Sequence, residues 1–197
     1  PSGKGLWLSI LLRPNLRPAE TTQLTTATAT AIVRAITRET GLKPKIKWPN
    51  DIMLGKKKAG GILTELHAEL DKIRHVIIGI GINVQQSPSD FSGDLRSSAT
   101  SLKIETGHNV ELPSIATALL SELDKDYRRI LNHKFDELAE EWESHCKILG
   151  KLVAVDLGSR TIRGRAEALD PNGALLVRND HGRLEPVIGG DVRQLKN

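Results

Sequence analysis

The sequence predicts an α+β protein in which a larger strand-and-helix domain is followed by a small all-β domain. Up to residue 146, short apolar runs of strand character alternate with long segments whose apolar residues recur at helical spacing. Beyond Gly150 the helical spacing ends, and five short strand-like runs follow, separated by Gly, Asn and Asp turns. We therefore predict one domain over 1–149 and a small SH3-like β-barrel over 150–197.

The strands of the first domain are predicted from apolar runs bounded by glycine or proline. Leu6–Leu12 is such a run, since Gly5 precedes it and Pro14 follows it. Gly55-Lys56-Lys57 is typical of a hairpin turn between two later strands. The remaining strands are predicted over Lys45–Trp48, Asp51–Leu54, Lys58–Glu69 and Arg74–Val84.

Three long helices are predicted in the same domain. Pro18 suits a first helical turn and Gly41 a left-handed helix end, which together delimit a helix over Pro18–Thr40. Its many threonines lower its intrinsic helix propensity, so tertiary packing must stabilise it. Two more helices are predicted over Leu112–Leu131 and Phe135–Cys146, and a mobile polar loop over Gln85–Gly93.

Composition excludes several classes of function. The net charge of +4 suits an anionic ligand but is too small to indicate nucleic acid, and the three Trp, one Tyr and two Phe offer few platforms for base stacking. No apolar run is long enough for a membrane span. Cys146 is the only cysteine, which excludes an internal disulfide and favours a reducing, cytoplasmic location. We expect neither a nucleic-acid nor a membrane partner.

Three short motifs contain the residue types of a nucleotide site. In Lys47-Trp48-Pro49-Asn50-Asp51, the proline makes a rigid corner that aims an amide and a carboxylate, which are oxygen ligands for Mg²⁺. In Lys58-Ala59-Gly60-Gly61-Ile62-Leu63, a lysine beside glycines can neutralise a carboxylate and a phosphate together. In Gly79-Ile80-Gly81-Ile82-Asn83, two glycines leave a flat floor for a planar ring. Taken singly, an ordinary turn, a solvated lysine hairpin and a tightly packed core strand explain these motifs as well.

Together and in this order, the three motifs resemble those of the biotin protein ligase family. The family's K-W-P-N-D, K-x-x-G-I-L and I-G-x-G-I-N motifs correspond to Lys47–Asp51, Lys58–Leu63 and Ile78–Asn83. A downstream A-T-S-L occurs at Ala99–Leu102. The D-x-x-G-A-L-L-V and G-G-D-V segments near the C-terminus are similar to the family's small barrel. The resemblance extends over essentially the whole chain and implies a class II synthetase-like mixed sheet flanked by helices.

The resemblance implies ATP-dependent activation of biotin as biotinyl-5'-AMP and its transfer to a lysine of the biotin carrier domain of a carboxylase. It identifies Lys58 as the catalytic lysine, contacting the biotin carboxylate and the α-phosphate. Homodimerisation is a further possibility that the resemblance implies. The biotin-binding positions would be Lys58, Gly60, Gly61, Ile62, Gly79 and Ile82, and those for ATP and Mg²⁺ would be Lys47, Asn50, Asp51 and Asn83, with Asp51 as metal ligand.

One family motif is missing. The Gly/Arg-rich loop, of the G-R-G-x-x-G-R-x-W type, would lie directly before Pro1, so the chain alone is expected to be inactive or weakly active. A lipoate protein ligase remains an alternative, although its corresponding motif usually lacks the Trp48-Pro49 pair. A catalytically silent binding module is a second alternative, which the presence of Lys58 and Asn83 argues against. The sequence neither supplies nor excludes an N-terminal DNA-binding domain.

Overall fold

The first half of the fold is a five-stranded sheet with helices on one face. The computed structural model describes residues 2–70 and 72–195. The strand order is β1-β5-β4-β3-β2, and every neighbouring pair is antiparallel. The strands are β1 Gly5–Leu12, β2 Lys45–Lys47, β3 Asp51–Leu54, β4 Lys57–Glu69 and β5 Lys72–Asn83.

The two faces of this sheet differ because side chains alternate along each strand. On β5, Val76, Ile78, Ile80 and Ile82 are buried, and this side is called the back face. The intervening residues, among them Gly79 and Gly81, belong to the opposite side, the front face. The front face also carries the exposed side chains of β1, among them Trp7 and Leu11, so one face of the sheet is buried and the other is open.

The helices pack behind the sheet, where α1 contacts β2, β3 and β4 as well as α4 and α5. α1 follows a 3-10 turn over Pro18–Thr21 and ends at Gly41, whose φ of 71° is left-handed. Its buried Thr28 donates a hydrogen bond of 2.7 Å to the Leu24 carbonyl, so burial of the hydroxyl leaves no unsatisfied donor. The helices are α1 Thr22–Thr40, α2 Leu95–Ser98, α3 Leu102–Thr106, α4 Leu112–Leu131 and α5 Phe135–His145.

A charged cluster links three of these helices. Arg34 of α1 donates to Glu122 of α4 over 2.9 Å and to Glu141 of α5 over 2.6 Å, and it also pairs with Asp126. The Asp126 side chain is completely buried, and this burial raises the pKa of its carboxyl despite the neighbouring guanidinium. A hydrogen bond from Lys125 lowers the pKa of Glu122. The cluster therefore fixes the helices to one another with largely buried charges.

The second half is another five-stranded antiparallel sheet, ordered β10-β6-β7-β8-β9. It contacts the first half at the start of α1, where the Gln23 side chain donates to the Pro171 carbonyl over 2.9 Å. Glu143 of α5 also accepts from the Leu169 amide over 3.0 Å. The strands are β6 Leu152–Asp156, β7 Thr161–Leu169, β8 Leu175–Arg178, β9 Leu184–Val187 and β10 Asp191–Gln194.

The α+β class is confirmed, with local differences from the sequence prediction. β2 ends one residue before Trp48, since Pro49 lacks the N–H that a ladder needs. Cys146 follows α5 instead of ending it. The sheet of the first half is antiparallel throughout, and its mixed character is limited to isolated parallel bridges, Ile46 with Cys146 and Lys58 with Ala99.

The loop predicted over Gln85–Gly93 contains only a 3-10 turn, Pro88–Asp90. It is attached to the start of the chain, because Lys4 Nζ lies 2.7 Å from the Asp90 carboxylate. Among the described residues, no helix combines the length and the apolar character that crossing a bilayer requires.

Candidate active site

The front face carries one transverse row that joins all three predicted motifs. Strand register places Lys47 opposite Asp51, Asp51 opposite Gly61, Gly61 opposite Gly81, and Gly81 opposite Trp7. Adjacent strands lie about 4.8 Å apart, so the backbones of Asp51 and Trp7 are separated by roughly 14 Å. Between them the two glycines present bare backbone, which makes a shallow trough with a charged wall and an aromatic wall.

A cavity of about 480 Å³ opens over this trough. Its volume lies within the usual range for small-molecule sites. Besides Lys58, its lining combines the backbone of the glycines and their neighbours with Ser9 and with apolar side chains such as Trp7 and Leu63. The lining residues are Trp7, Leu8, Ser9, Lys58, Gly61, Ile62, Leu63, Gly79, Ile80 and Gly81.

Lys58 is the cation of this cavity. Its ammonium forms an ion pair with the Asp51 carboxylate, and 49% of its side chain is exposed, against 21% for Asp51. A methyl group at Gly61 would lie 3.2 Å from both Cε and Nζ of Lys58. The lysine therefore extends over the glycine backbone, where its charge is available to an anion lying in the trough.

The two asparagines of the motifs hold backbone carbonyls. Asn50 Nδ2 donates to the Ile62 carbonyl over 2.7 Å, and the Ile62 amide donates back to the Asn50 carbonyl over 3.0 Å. Asn83 Nδ2 donates to the Thr100 carbonyl over 2.9 Å, while its Oδ1 accepts from Gln86 over a longer 3.4 Å. Each amide thus fixes a segment beside Lys58 and retains acceptor capacity at Oδ1.

Not every predicted site residue faces the cavity. Lys58, Gly61, Ile62 and Gly79 line it, and Lys47, Asn50, Asp51 and Asn83 lie around its polar end. Ile82 belongs to the back face and is fully buried in the core. Gly60 lies beside Ile82, since a methyl group at Gly60 would be 2.7 Å from the Gly81 carbonyl and 3.5 Å from Ile82.

Sequence reasoning missed Trp7, which lines the cavity and is 64% exposed. Its indole lies against Gly81, where a methyl group would come within 2.6 Å of Cζ3, and against Gly5. The sequence predicts that a planar ring can lie on the two glycines. Over Gly81 this position is taken by the indole ring of Trp7. Only the register of β1 with β5 reveals this contact, and the run around Trp7 does not encode that register.

The remaining reactive side chains stand apart from the cavity. Burial raises the pKa of the Cys146 thiol to about 11, so the thiol stays protonated at neutral pH. His67 and His75 stack across β4 and β5 with ring centroids 5.1 Å apart. In the described part of the chain, no group of three or more His, Cys, Asp or Glu side chains is arranged to hold a metal ion.

Comparison with known proteins agrees with the motif order. Residues 1–83 match the model of the biotin/lipoate A/B protein ligase family, and residues 148–193 match that of the biotin protein ligase C-terminal domain. The bifunctional ligase/repressor BirA of Bacillus subtilis is 38% identical over 190 residues, covering 96% of this chain and 58% of the relative. The biotin--[acetyl-CoA-carboxylase] ligase of Paracoccus denitrificans is 28% identical, covering 89% of this chain and 74% of that relative.

A solved structure with a similar fold is the biotin protein ligase of Aquifex aeolicus in complex with biotin and ATP. Its TM-score is 0.82 at 27% identity, with 98% of this chain and 79% of that chain covered. Fold, site and matches define the class of biotin and lipoate protein ligases. Within this class, the chain belongs to the biotin protein ligase family. It spans little more than half the length of its BirA relatives.

Proposed function

We propose that the protein is an ATP-dependent biotin–protein ligase. In the first half-reaction a biotin carboxylate oxygen attacks the α-phosphorus of ATP, the bond to pyrophosphate breaks, and biotinyl-5'-AMP forms. In the second, the Nζ of a carrier lysine attacks the acyl carbon, AMP leaves, and the amine loses a proton. The observation that carries the proposal is Lys58 extending over a glycine trough in a chain of this family.

The charge of Lys58 suits the first half-reaction. A carboxylate and a phosphate repel each other, and an ammonium between them lowers that repulsion most as charge develops on the phosphate oxygens. Holding both groups in line also supplies part of the rate enhancement through proximity. The ion pair with Asp51 keeps the ammonium over the trough and leaves half of the side chain free to meet the ligand.

The trough divides into a biotin end and a nucleotide end in this proposal. Gly61, Gly79 and the backbone of Ile62 would contact biotin. Gly60 and Ile82 would contribute from the back face, where the small Gly60 lets the strands approach closely. The remaining predicted positions would handle the triphosphate. These are Lys47, Asn50, Asp51 and Asn83.

The nucleotide end fits a magnesium ion that arrives with ATP. Mg²⁺ is commonly held by one or two carboxylates together with substrate phosphates and water, so a single partly exposed carboxylate suffices. Asp51 would hold the ion, with Asn50 Oδ1 beside it. The ion would neutralise phosphate charge, and Asp51 is the carboxylate that would hold it.

The proposal extends to partners and domains. The carrier domain of a biotin-dependent carboxylase would present its lysine at the open front face, in the cytoplasm. Residues 1–149 would form the catalytic domain and 150–197 the C-terminal domain. Association of two copies as a homodimer is part of the same proposal.

Isothermal titration with a non-hydrolysable mimic of biotinyl-AMP tests the proposal. We expect Lys58→Ala to weaken binding about tenfold to a hundredfold, since a hydrogen bond to a charged group contributes about 1.5–3 kcal/mol. Lys56→Ala is the matched control, because this exposed neighbour lies in the hairpin outside the cavity lining, and its effect should stay within about twofold. Equal effects of the two substitutions would contradict the role of Lys58. Tighter binding of the corresponding lipoyl mimic would identify the other ligase of this class.

A further inference from the structure

The catalytic strand is irregular at Lys58. Between β3 and β4 the register shifts, so that Ile52 faces Gly60 but Met53 faces Lys58, with Ala59 as the extra residue. On the other side of β4, pairing with β5 begins only at Gly60. Lys58 therefore lies beside a bulge on one edge of β4 and beyond the reach of β5 on the other.

A short extended segment takes the place of β5 at this point. Ala99 forms a parallel bridge with Lys58, and the Thr100 amide donates to the Lys58 carbonyl over 2.9 Å. The segment Ala99–Ser101, here called the strap, belongs to the A-T-S-L motif, to which the ligase reaction itself gives no role. Its Thr100 and Ser101 are fully buried although both are polar.

Hydrogen bonds of its two buried hydroxyl groups hold the strap in one position. Ser101 Oγ donates to the Gln86 carbonyl over 2.6 Å and accepts from the Ile104 amide over 3.1 Å, so it also caps α3. Thr100 Oγ1 donates to Glu105 over 2.6 Å, and the Thr100 carbonyl accepts from Asn83. These bonds favour a single geometry, because a shift of the strap would leave the buried hydroxyls of Thr100 and Ser101 without partners.

We propose that the strap positions Lys58 for adenylation and that Ser101 is the side chain that locks it. The proposal rests on the proposed function only in naming adenylation as the reaction of Lys58. The backbone contact between the strap and Lys58 does not depend on the ligand. A displacement of about 1 Å can reduce catalysis by roughly a hundredfold. A strap that fixes the backbone on the free edge of β4 therefore sets where the ammonium meets its ligand.

Ser101→Ala tests the proposal against Ser98→Ala. Both changes delete a hydroxyl that donates to a backbone carbonyl, but Ser98 is exposed and donates to the Asp94 carbonyl, directly before α2. Two ligand-independent measurements apply to the intact protein. Hydrogen exchange reports opening of residues 57–61, and labelling with an amine reagent reports the reactivity of Lys58 relative to Lys56 as a function of pH.

In Ser101→Ala we expect exchange over 57–61 to rise about fivefold, the usual effect of a lost serine cap on an opening equilibrium. The labelling ratio of Lys58 to Lys56 should rise as Lys58 leaves Asp51, and affinity for the biotinyl-AMP mimic should fall by a similar factor. Ser98→Ala should change none of these quantities. Ser101→Thr, which keeps the hydroxyl, should leave all of them near their wild-type values. Glu105→Gln, which weakens only the bond to Thr100, should give a smaller change in the same direction.

The inference is overturned if Ser101→Ala and Ser98→Ala give the same labelling ratio, or if exchange rises while the ratio stays constant. The latter result would make the strap a structural brace without influence on the lysine. These readouts need no ligand. A wild-type protein that fails to bind the mimic would therefore contradict the proposed function while leaving the strap measurements interpretable.

Discussion

The two faces of the first sheet use the same strands for opposite purposes. Along β5 the back face presents Val76, Ile78, Ile80 and Ile82 to the core, whereas the front face presents Gly79 and Gly81 to the cavity. Each strand thus carries both sets of residues in alternation. Stability depends on side-chain volume at the back, and ligand access depends on the lack of side chains at the front.

Charged groups follow the same division. Behind the sheet, Arg34 lies among three carboxylates, and its ion pairs connect α1, α4 and α5. At the front, Lys58 pairs with one carboxylate among the described residues, that of Asp51, and half of its side chain remains exposed. A charge surrounded by partners stabilises the fold, while a charge with one partner remains available to a ligand. The comparison predicts that mutations at the back change stability and those at the front change binding.

The largest expected effect is on stability, from Arg34→Met. Removing this guanidinium leaves the fully buried Asp126 carboxylate without its main partner, and breaking a buried pair typically costs about 3–5 kcal/mol. Urea unfolding should show this loss in the free energy of unfolding. Affinity for the biotinyl-AMP mimic, measured on the folded fraction, should remain within about twofold.

Arg38→Met is the control for that change. Arg38 is 51% exposed and pairs with Glu39 and Glu122 at the rim of the same cluster, so its loss should cost less than about 1 kcal/mol. If Arg34→Met weakened ligand binding as strongly as it lowered stability, the division between the two faces would be wrong.

A smaller effect of the opposite kind is expected from Gly81→Ala. The new methyl would come within 2.6 Å of the Trp7 ring, and the indole must move because the atom it meets belongs to an exposed side chain. The free energy of unfolding should change by about 1 kcal/mol or less. Affinity for the mimic should fall about tenfold, since both the methyl and the displaced ring enter the trough.

Gly79→Ala provides the comparison within the same strand. Its methyl would lie 3.6 Å from the Leu63 carbonyl and 3.7 Å from Leu63 Cβ, which are ordinary contacts. Calorimetry should therefore show a weaker effect than for Gly81→Ala. The opposite order would mean that the glycine floor, and not the position of Trp7, limits the site.

Sequence reasoning reached most of the fold because its signals are local. The long helices and the strands are encoded by apolar spacing and by Gly and Pro residues such as Gly41, and their boundaries agree within a few residues. The three site motifs were likewise identified from local sequence, and the structure adds that Lys58 pairs with Asp51 and lies over Gly61.

Contacts that depend on register were not predictable in the same way. The pairing of Trp7 with Gly81 and the bridge between Lys58 and Ala99 join residues that lie far apart in sequence, and neither contact leaves a local periodic signal. Gly60 and Ile82 illustrate the same limit, since being in a site motif did not reveal which face of the sheet they occupy. A motif indicates the strand on which a residue lies, and the strand register decides which face of the sheet its side chain occupies.

The smallest expected effect concerns Cys146, which packs against the core on the helix side. Burial raises the pKa of its thiol from 9.0 to about 11, so at pH 8 the folded protein should hold roughly a hundredfold less thiolate than the unfolded chain. Reaction with a disulfide reagent should be slow at pH 8 by about that factor and should approach the unfolded rate in urea.

The folded state favours the neutral thiol, so the stability that Cys146 contributes is full below pH 9 and declines as the pH rises towards 11. Cys146→Ala should remove this part of the pH dependence without changing affinity for the mimic, whereas a thiol that reacts at pH 8 as fast as in urea would mean that the helix side opens locally on its own.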